Sequence, residues 1–264
     1  MKQNNQKLTI LAFSDYRIHN LSLLEKKIDE LDINIDIILY AGDDTERFIE
    51  KDENGKIIKN HFEILASKTK HGLGAVIGND CLKKDYKLIK GKNVFDLHRK
   101  QILINNFKII GFEGAEINNE NEGIGPTLYK ERYVYNRLKH FIRKYNKDKL
   151  ILVSHSPPYG ILDLSFRFGK QHIGSKAIRR LIEENDNIIL NICGHSHING
   201  GKYKRLNKCL VFNVSNHDGI RNNNFPIGRF CLIKVNNLDI DYKWYYVDEE
   251  KRLYLKTKRL SEYI

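Results

Sequence analysis

Short runs of apolar residues recur along the chain and alternate with amphipathic stretches. The apolar runs have the length of strands and are each followed by a polar loop or a glycine; they end at Ser14, Ala41, Ile77, Gly111, Ser154 and Cys193. Between them, the stretches 21–31, 60–67, 128–145 and 175–184 place apolar residues along one face of a helix. Strands that alternate with helices predict a mainly parallel sheet.

The pattern changes after residue 208. Strand-like runs over 209–214, 229–235 and 242–247 follow one another with only turn-rich pieces between them. We expect these runs to supply antiparallel strands of a second sheet. Because no linker, internal repeat or low-complexity block divides the sequence, we also expect a single domain over residues 1–264.

Composition indicates a globular protein. The chain has 264 residues, of which 41% are apolar and 30% charged, and these proportions exclude both a disordered chain and a membrane protein. No apolar run approaches the roughly 18 residues of a membrane span. The polar residues 1–7 lead into a strand-like run without the apolar core of a signal peptide. We therefore expect a cytoplasmic protein that has no membrane partner.

Net charge and cysteine usage restrict the possible functions less than the overall composition does. The formal net charge of +12 suits an anionic substrate or a nucleic acid. The lysines are scattered along the whole chain rather than clustered, so a nucleic-acid partner is not favoured. The four cysteines show no C-x-x-C spacing, and this predicts neither disulfides nor a cysteine metal site.

Side chains that can bind metals follow five of the predicted strands. They are Asp15 after the first strand, Asp43 after the second, Asn79 after the third, His155 after the fifth, and His195 and His197 after the sixth. In an open α/β sheet, ligands bind outside the carboxyl ends of the strands, so we expect these side chains to converge. Carboxylate, amide oxygen and imidazole together suit Mn²⁺, Fe or Zn²⁺.

The order of these residues resembles that of the calcineurin-like metallophosphoesterases, whose pattern runs D-x-H, G-D, G-N-H-D/E, H and G-H-x-H. The resemblance covers residues 10 to about 213. Within it, the run H-S-P-P-Y-G-I-L-D from His155 to Asp163, H-I-G-S from His172, and G-H-S-H up to His197 are similar to the MPPED-type phosphodiesterase branch. The resemblance implies an α/β fold of two facing mixed β-sheets flanked by helices, in four layers α/β/β/α.

The resemblance also implies a site for one or two divalent metals. Asp43 would bridge the two metals, while Asn79, His155 and His195 would complete one and Asp15 and His197 the other. Mn²⁺ is the expected metal, with Fe or Zn²⁺ as alternatives. The implied reaction is hydrolysis of a small phosphate ester by a metal-activated hydroxide.

The chain departs from the family pattern after the first strand. Arg17 stands where the pattern has a metal-ligating histidine, and a guanidinium cannot coordinate a metal. One interpretation is that a one-residue insertion lets His19 swing back towards the metal. The interpretation that we prefer is that Arg17 contacts the substrate phosphate. The metal held by Asp15, Asp43 and His197 would then be weakly bound.

The second departure concerns proton transfer. Asp80 stands where the pattern has an assisting histidine, and an aspartate carboxyl, which ordinarily ionises near pH ~4, has no proton to donate at pH 7. Asp80 is therefore a candidate catalytic residue by its position in the pattern, but it cannot act as the acid. His217 is a candidate for the missing acid, and His172 is a candidate for contact with phosphate; ordinary structural or surface positions are alternatives for both.

Three classes of function remain open at this point. The first is a metal-dependent phosphodiesterase or phosphatase that acts on a small ester such as a nucleotide. The second is a binding module that keeps the fold with a degenerate metal site, as the two departures suggest. The third is a nuclease of the same fold, which the basic charge suggests.

Overall fold

Two mixed β-sheets form the centre of the computed structural model, which describes residues 7–16, 21–117, 125–144, 148–166, 170–216, 228–247 and 253–257. The strands in chain order are β1 (Lys7–Phe13), β2 (Ile37–Tyr40), β3 (Ile49–Lys51), β4 (Ile57–Asn60), β5 (Leu73–Ala75), β6 (Val94–Asp96), β7 (Ile102–Ile104), β8 (Phe107–Phe112), β9 (Ala115–Ile117), β10 (Leu128–Lys130), β11 (Lys149–Ser154), β12 (Leu164–Ser165), β13 (Gln171–His172), β14 (Ile188–Cys193), β15 (Lys202–Leu206), β16 (Cys209–Asn213), β17 (Gly228–Asn236), β18 (Asp239–Val247) and β19 (Leu253–Thr257). The α-helices are α1 (Leu21–Asp29), α2 (His61–Ser67), α3 (Glu131–Lys144) and α4 (Lys176–Glu184).

The two sheets differ in their strand order. The first runs β19-β18-β17-β1-β2-β5-β6, and the second runs β15-β16-β14-β11-β8-β7. Strands β1, β2, β5 and β6 are parallel to one another in the first sheet. Strands β8, β11, β14 and β16 are parallel in the second. Each sheet therefore presents a row of parallel carboxyl ends.

Alternation along the strands explains why helices cover only the outer faces. In β1, Ile10 and Ala12 are buried in the core between the two sheets, while Leu11 and Phe13 pack into the core beneath α1 and α2. Strand β11 repeats the pattern, with one set of side chains in the inter-sheet core and the other beneath α3 and α4. Successive strand residues point to opposite faces, so apolar residues at every position require cover on both sides. The predicted fold class, two facing mixed sheets flanked by helices, is confirmed.

Three local predictions differ from the structure. The six predicted strands do not form one sheet, because the chain passes from the first sheet to the second between β6 and β7. The tail is also divided: Cys209–Asn213 lies parallel to β14 in the second sheet, whereas β17 lies antiparallel to β1 in the first sheet and β18 lies antiparallel to β17. Residues Leu128–Lys130 form a strand beside β9, so α3 begins three residues later than its periodicity predicts. Apolar patterning defines which faces are buried but does not identify the neighbouring strand.

The helices are short. The longest among the described residues is α3, with 14 residues, and none has the length and apolarity that a membrane crossing requires.

We expect the inter-sheet core to be sensitive to small cavities. Ile151 is fully buried there, and an Ile151→Ala substitution should lower the free energy of unfolding by about 2–5 kcal/mol, since an isoleucine-sized void cannot collapse between two sheets. Trp244, the single tryptophan, lies in the same core, so its fluorescence during urea unfolding reports the change. Leu238→Ala, at a side chain that is 70% exposed, serves as the control and should change the value by less than about 0.5 kcal/mol. Equal effects of the two substitutions would contradict this description of the core.

Candidate metal centre

Side chains from the ends of both sheets meet in one buried cluster. Asp15 follows β1, Asp43 follows β2 and His155 follows β11. One potential ligand atom from each of these three buried residues lies within 4.8 Å of the other two. The cluster therefore spans the gap between the sheets at the carboxyl ends of their parallel strands.

His155 is held by both of its ring nitrogens. Its Nδ1 donates to the backbone carbonyl of Ala41 at 2.8 Å, at the end of β2. Its Nε2 lies 2.8 Å from Oδ1 of Asn79 and 3.4 Å from Oδ2 of Asp43. A histidine that binds a metal commonly donates its other N–H to a backbone carbonyl, which fixes the ring and the tautomer. The Ala41 bond thus leaves Nε2 as the candidate ligand atom of His155.

Asp15 lies on the other side of the cluster, against the loop after β14. Its Oδ1 accepts a hydrogen bond from Nε2 of His197 at 2.9 Å, and its Oδ2 accepts one from the backbone N–H of His195 at 3.2 Å. The ring of His195 lies 5.1 Å from that of His155, measured between centroids. All six ligands predicted from the sequence therefore lie in or beside one cluster. Their division between two metals stays a prediction.

The backbone at the cluster is strained. Asp15, Asp43 and His195 adopt positive φ angles of 51°, 60° and 67°, which residues with a side chain rarely do. Backbone of this kind persists where surrounding contacts hold it, and it concentrates at functional sites. Gly78 shows how tightly the loops pack, because a Cβ atom built there would lie 1.8 Å from Oδ1 of Asp43.

The charges of neighbouring side chains, together with burial, set the protonation states of the residues in the cluster. Burial works against the charged form of His155, but the charge and hydrogen bond of Asp43 outweigh it and raise the pKa of His155 to about 9. Burial and the nearby charge of His155 lower the pKa of His195 to about 3. Burial would raise the pKa of Asp15, yet the charge and hydrogen bond of His197 hold that pKa well below its usual range. His195 is consequently neutral, the form that binds metals.

The residues present fit a divalent metal. Both ring nitrogens of His155 face oxygen atoms, so without a metal both must carry a proton for these contacts to be favourable. A cation near Nε2 would replace that proton and be bound by carboxylates of Asp15 and Asp43 and the amide oxygen of Asn79. Buried carboxylates, an amide oxygen and neutral imidazole form a donor set for Mn²⁺, Fe or Zn²⁺.

Asp80 occupies a position whose contacts the sequence did not indicate. Its backbone N–H donates to Oδ1 of Asp43 at 3.0 Å, and its exposed carboxylate accepts a hydrogen bond from Nδ2 of Asn79 at 2.8 Å. This second bond turns the amide oxygen of Asn79 towards His155. Asp80 thus orients a candidate ligand, and its assignment to the catalytic set stays a prediction.

Four other residues were predicted from the sequence as site candidates. Three of them, Arg17, His19 and His217, lie outside the described residues. His172 does not contact the six ligands in any hydrogen bond of the described residues. Its Nδ1 is bonded instead to Oδ1 of Asp163 at 2.8 Å. Sequence reasoning did not identify Asp163 as a partner, although both residues belong to the motifs that carry the resemblance.

Another buried carboxyl, that of Glu116, lies near the loop that carries His155. Glu116, in β9, is 5% exposed, and burial followed by the negative charge of Glu131 raises its pKa to about 8. Glu131 itself caps the start of α4, where it accepts hydrogen bonds from Ser175 Oγ and from the backbone N–H groups of Lys176 and Ala177. These bonds fix the position of the Glu131 carboxylate, and the raised pKa belongs to Glu116.

We expect Glu116 to make folding stability depend on pH. Its pKa is raised on folding, so the stability that the protonated form contributes is complete below the unfolded value of 4.5 and is lost as the pH rises through about 8. Glu116→Gln is neutral at every pH and should raise the Tm relative to the wild type more at pH 9 than at pH 5. Glu53→Gln, at an exposed turn, is the matched control. A Tm difference that is the same at both pH values would show that Glu116 does not titrate in this range.

The hydrogen bond between Asp80 and Asn79 predicts different metal affinities for two variants. Asp80→Ala removes the acceptor, so we expect the affinity for Mn²⁺, measured by electron paramagnetic resonance, to fall by about 10–100-fold. Asp80→Asn removes the same negative charge but keeps an amide oxygen that can accept from Asn79. It should stay within a few fold of the wild type. Equal losses in the two variants would mean that charge, and not orientation of the amide, is the contribution of Asp80.

Known proteins agree with this architecture. Residues 8–199 match the family described as calcineurin-like phosphoesterase. An uncharacterised protein of Methanocaldococcus jannaschii is 33% identical over 168 residues, which make up 61% of this chain and 69% of that protein. Among solved structures, TT1561 of Thermus thermophilus aligns with a TM-score of 0.60 at 18% identity, over 89% of this chain and 97% of that one. GAP50, the anchor in the inner membrane complex of Plasmodium, aligns with a TM-score of 0.56 at 14% identity, over 96% of this chain and 89% of that one.

At these identities the two solved structures demonstrate a shared fold and nothing about activity. The family match extends over more than half of the chain. The chain therefore belongs to the calcineurin-like phosphoesterase family.

Proposed function

We propose that this protein is a metal-dependent hydrolase of small phosphate esters, and more narrowly a phosphodiesterase or phosphatase that acts on a substrate such as a nucleotide. The observation that carries the proposal is the buried group of Asp15, Asp43 and His155, joined by the amide oxygen of Asn79. Family membership supports the reaction class. The motif from His155 to Asp163 supports the phosphodiesterase branch, and the donor set favours Mn²⁺, with Fe or Zn²⁺ as alternatives.

In this proposal, one group of residues binds the metal and another binds the substrate phosphate. Asp15, Asp43, Asn79, His155, His195 and His197 hold the metal. When bound, it supplies a Lewis acid that neutralises phosphoryl oxygens and lowers the pKa of a water molecule.

Binding of the substrate phosphate falls to cationic side chains. Arg17 faces the phosphate in this proposal, because a guanidinium can form paired hydrogen bonds with phosphate oxygens. The net charge of +12 favours the approach of an anionic substrate.

A second candidate function is a binding module that retains metal without turnover. The departures from the family pattern at Arg17 and Asp80 favour it, because one removes a metal ligand and the other an acid. The two functions differ in whether the metal-loaded protein hydrolyses an activated ester.

Turnover of bis-p-nitrophenyl phosphate tests the proposal. After removal of metal with EDTA, we expect activity to be lost and to return on addition of Mn²⁺. His195→Ala should lower the restored rate by at least about tenfold, because it removes a candidate ligand. His140→Ala, at an exposed position on α3, is the matched control and should behave as the wild type does. A wild type that binds Mn²⁺ but does not hydrolyse the ester would establish the binding module instead.

A further inference from the structure

Asp163 and His172 form a carboxylate–imidazole pair outside the ligand cluster. Asp163 is buried, and its Oδ2 accepts hydrogen bonds from the backbone N–H groups of Gly160 at 2.8 Å and Gly174 at 3.2 Å. Its other oxygen accepts from Nδ1 of His172 at 2.8 Å. The carboxylate is therefore fixed by the backbone and in turn fixes the tautomer of His172, whose side chain is 43% exposed. This is the arrangement by which a carboxylate orients a catalytic imidazole and stabilises its protonated form.

The hairpin that carries His172 is attached to both ligand-bearing loops of the second sheet. His172 lies opposite Leu164 in the β12–β13 pair. The carbonyl of Leu164 accepts a hydrogen bond from Oγ of Ser196 at 2.6 Å, between His195 and His197 in sequence. On the other side, the backbone N–H of Ser175 donates to the carbonyl of Pro157 at 2.8 Å, two residues after His155. The pair is thus held at the edge of the metal centre by two of its loops.

Among the described residues of the centre, the candidates for proton transfer are engaged in other contacts or roles. His155 has both ring nitrogens engaged, and His195 is a candidate metal ligand. The carboxylate of Asp80 accepts a hydrogen bond from Asn79. His172 combines an engaged Nδ1 with an exposed ring, and within the described part of the chain its Nε2 is open to a bound ester.

We propose that His172 is the general acid of the reaction and that Asp163 is its positioning residue. This inference rests on the proposed function. As the oxygen of a water molecule forms its bond to phosphorus, the bond from phosphorus to the leaving oxygen breaks and its electron pair stays on that oxygen. The leaving oxygen takes the proton from Nε2 of His172, and neutral His172 regains a proton from solvent, which balances the proton released by the attacking water.

The surroundings of the imidazole are compatible with this role. The Tyr159 ring lies 5.2 Å from the His172 ring, between centroids, and Lys176 Nζ lies 5.2 Å from the centroid of the same tyrosine. Arg179 is bonded to the carbonyl of Tyr159, and His197 lies on the turn that packs against β12. Asp163 is the carboxylate that contacts His172 directly, and so it is the group that fixes the orientation of the imidazole.

Leaving-group dependence tests the proposal. Nitrophenolate departs without a proton, whereas the more basic phenolate requires one, so His172→Ala should lower hydrolysis of diphenyl phosphate by about 10²-fold or more. Hydrolysis of bis-p-nitrophenyl phosphate should fall by less than about fivefold. Added imidazole should restore part of the lost rate on diphenyl phosphate, since the position is exposed. His140→Ala is the control for a lost surface histidine and should leave both rates unchanged.

A second variant tests the role of Asp163. Asp163→Asn removes the carboxylate that holds Nδ1 of His172, so kcat for diphenyl phosphate should fall by at least about tenfold while KM stays within about twofold of the wild type. A Tm close to that of the wild type would confirm that the loop is intact. Equal losses on the two substrates in His172→Ala, or an unchanged kcat in Asp163→Asn, would overturn the assignment and leave the proposed function standing. A wild type that hydrolyses neither ester would instead overturn the proposed function, and this inference with it.

Discussion

The hydrogen bond from His155 Nδ1 to the carbonyl of Ala41 connects the two sheets at the point where the chemistry is located. His155 follows a strand of the second sheet, and Ala41 follows a strand of the first. The bond fixes the ring so that Nε2 faces Asn79 and Asp43, both of which belong to loops of the first sheet. Without it, the imidazole could turn away and the cluster would lose its link across the gap. The packing of the inter-sheet core sets the distance that this bond spans.

Other contacts reinforce the same junction. The backbone N–H of His195, from the second sheet, donates to Asp15, from the first, and Gly114 donates to the carbonyl of Ile77 at 2.9 Å. The positive φ angles of Asp15, Asp43 and His195 are maintained by these contacts, since isolated turns would relax. A cation would offset the cost of burying the carboxylates of Asp15 and Asp43 so close together. The fold thus holds a donor arrangement that is unfavourable without a positive charge.

Much of this centre could be predicted from the sequence because the apolar runs that predict the strands also show where the candidate ligands lie. Each candidate ligand lies within four residues of the end of an apolar run, and the carboxyl end of a strand is where such residues become accessible to a bound molecule. The division of strands between two sheets did not follow from the pattern. Ile10 pairs with Ile233, far along the chain, and no periodicity encodes which strand lies beside another.

The contacts of Asp80 and Asp163 could not be predicted for a related reason. Each residue has a hydrogen bond to another side chain, and such a bond depends on loop conformation that residue type alone does not specify. The motif from His155 to Asp163 contained the relevant carboxylate, yet its partner His172 is brought to it only by the β12–β13 pairing.

We propose that the two sheets together hold a divalent metal through side chains from both. Thermal unfolding of EDTA-treated protein with increasing Mn²⁺ tests this arrangement, because a ligand that binds only the folded state stabilises it by about 2.7 kcal/mol at a concentration 100 times its Kd. We expect the Tm of the wild type to rise with Mn²⁺ and Asp43→Asn, which keeps the shape of the side chain, to reduce the rise greatly. A Tm that is independent of Mn²⁺, or one that rises equally in the variant, would show that the two sheets do not hold a metal in this way.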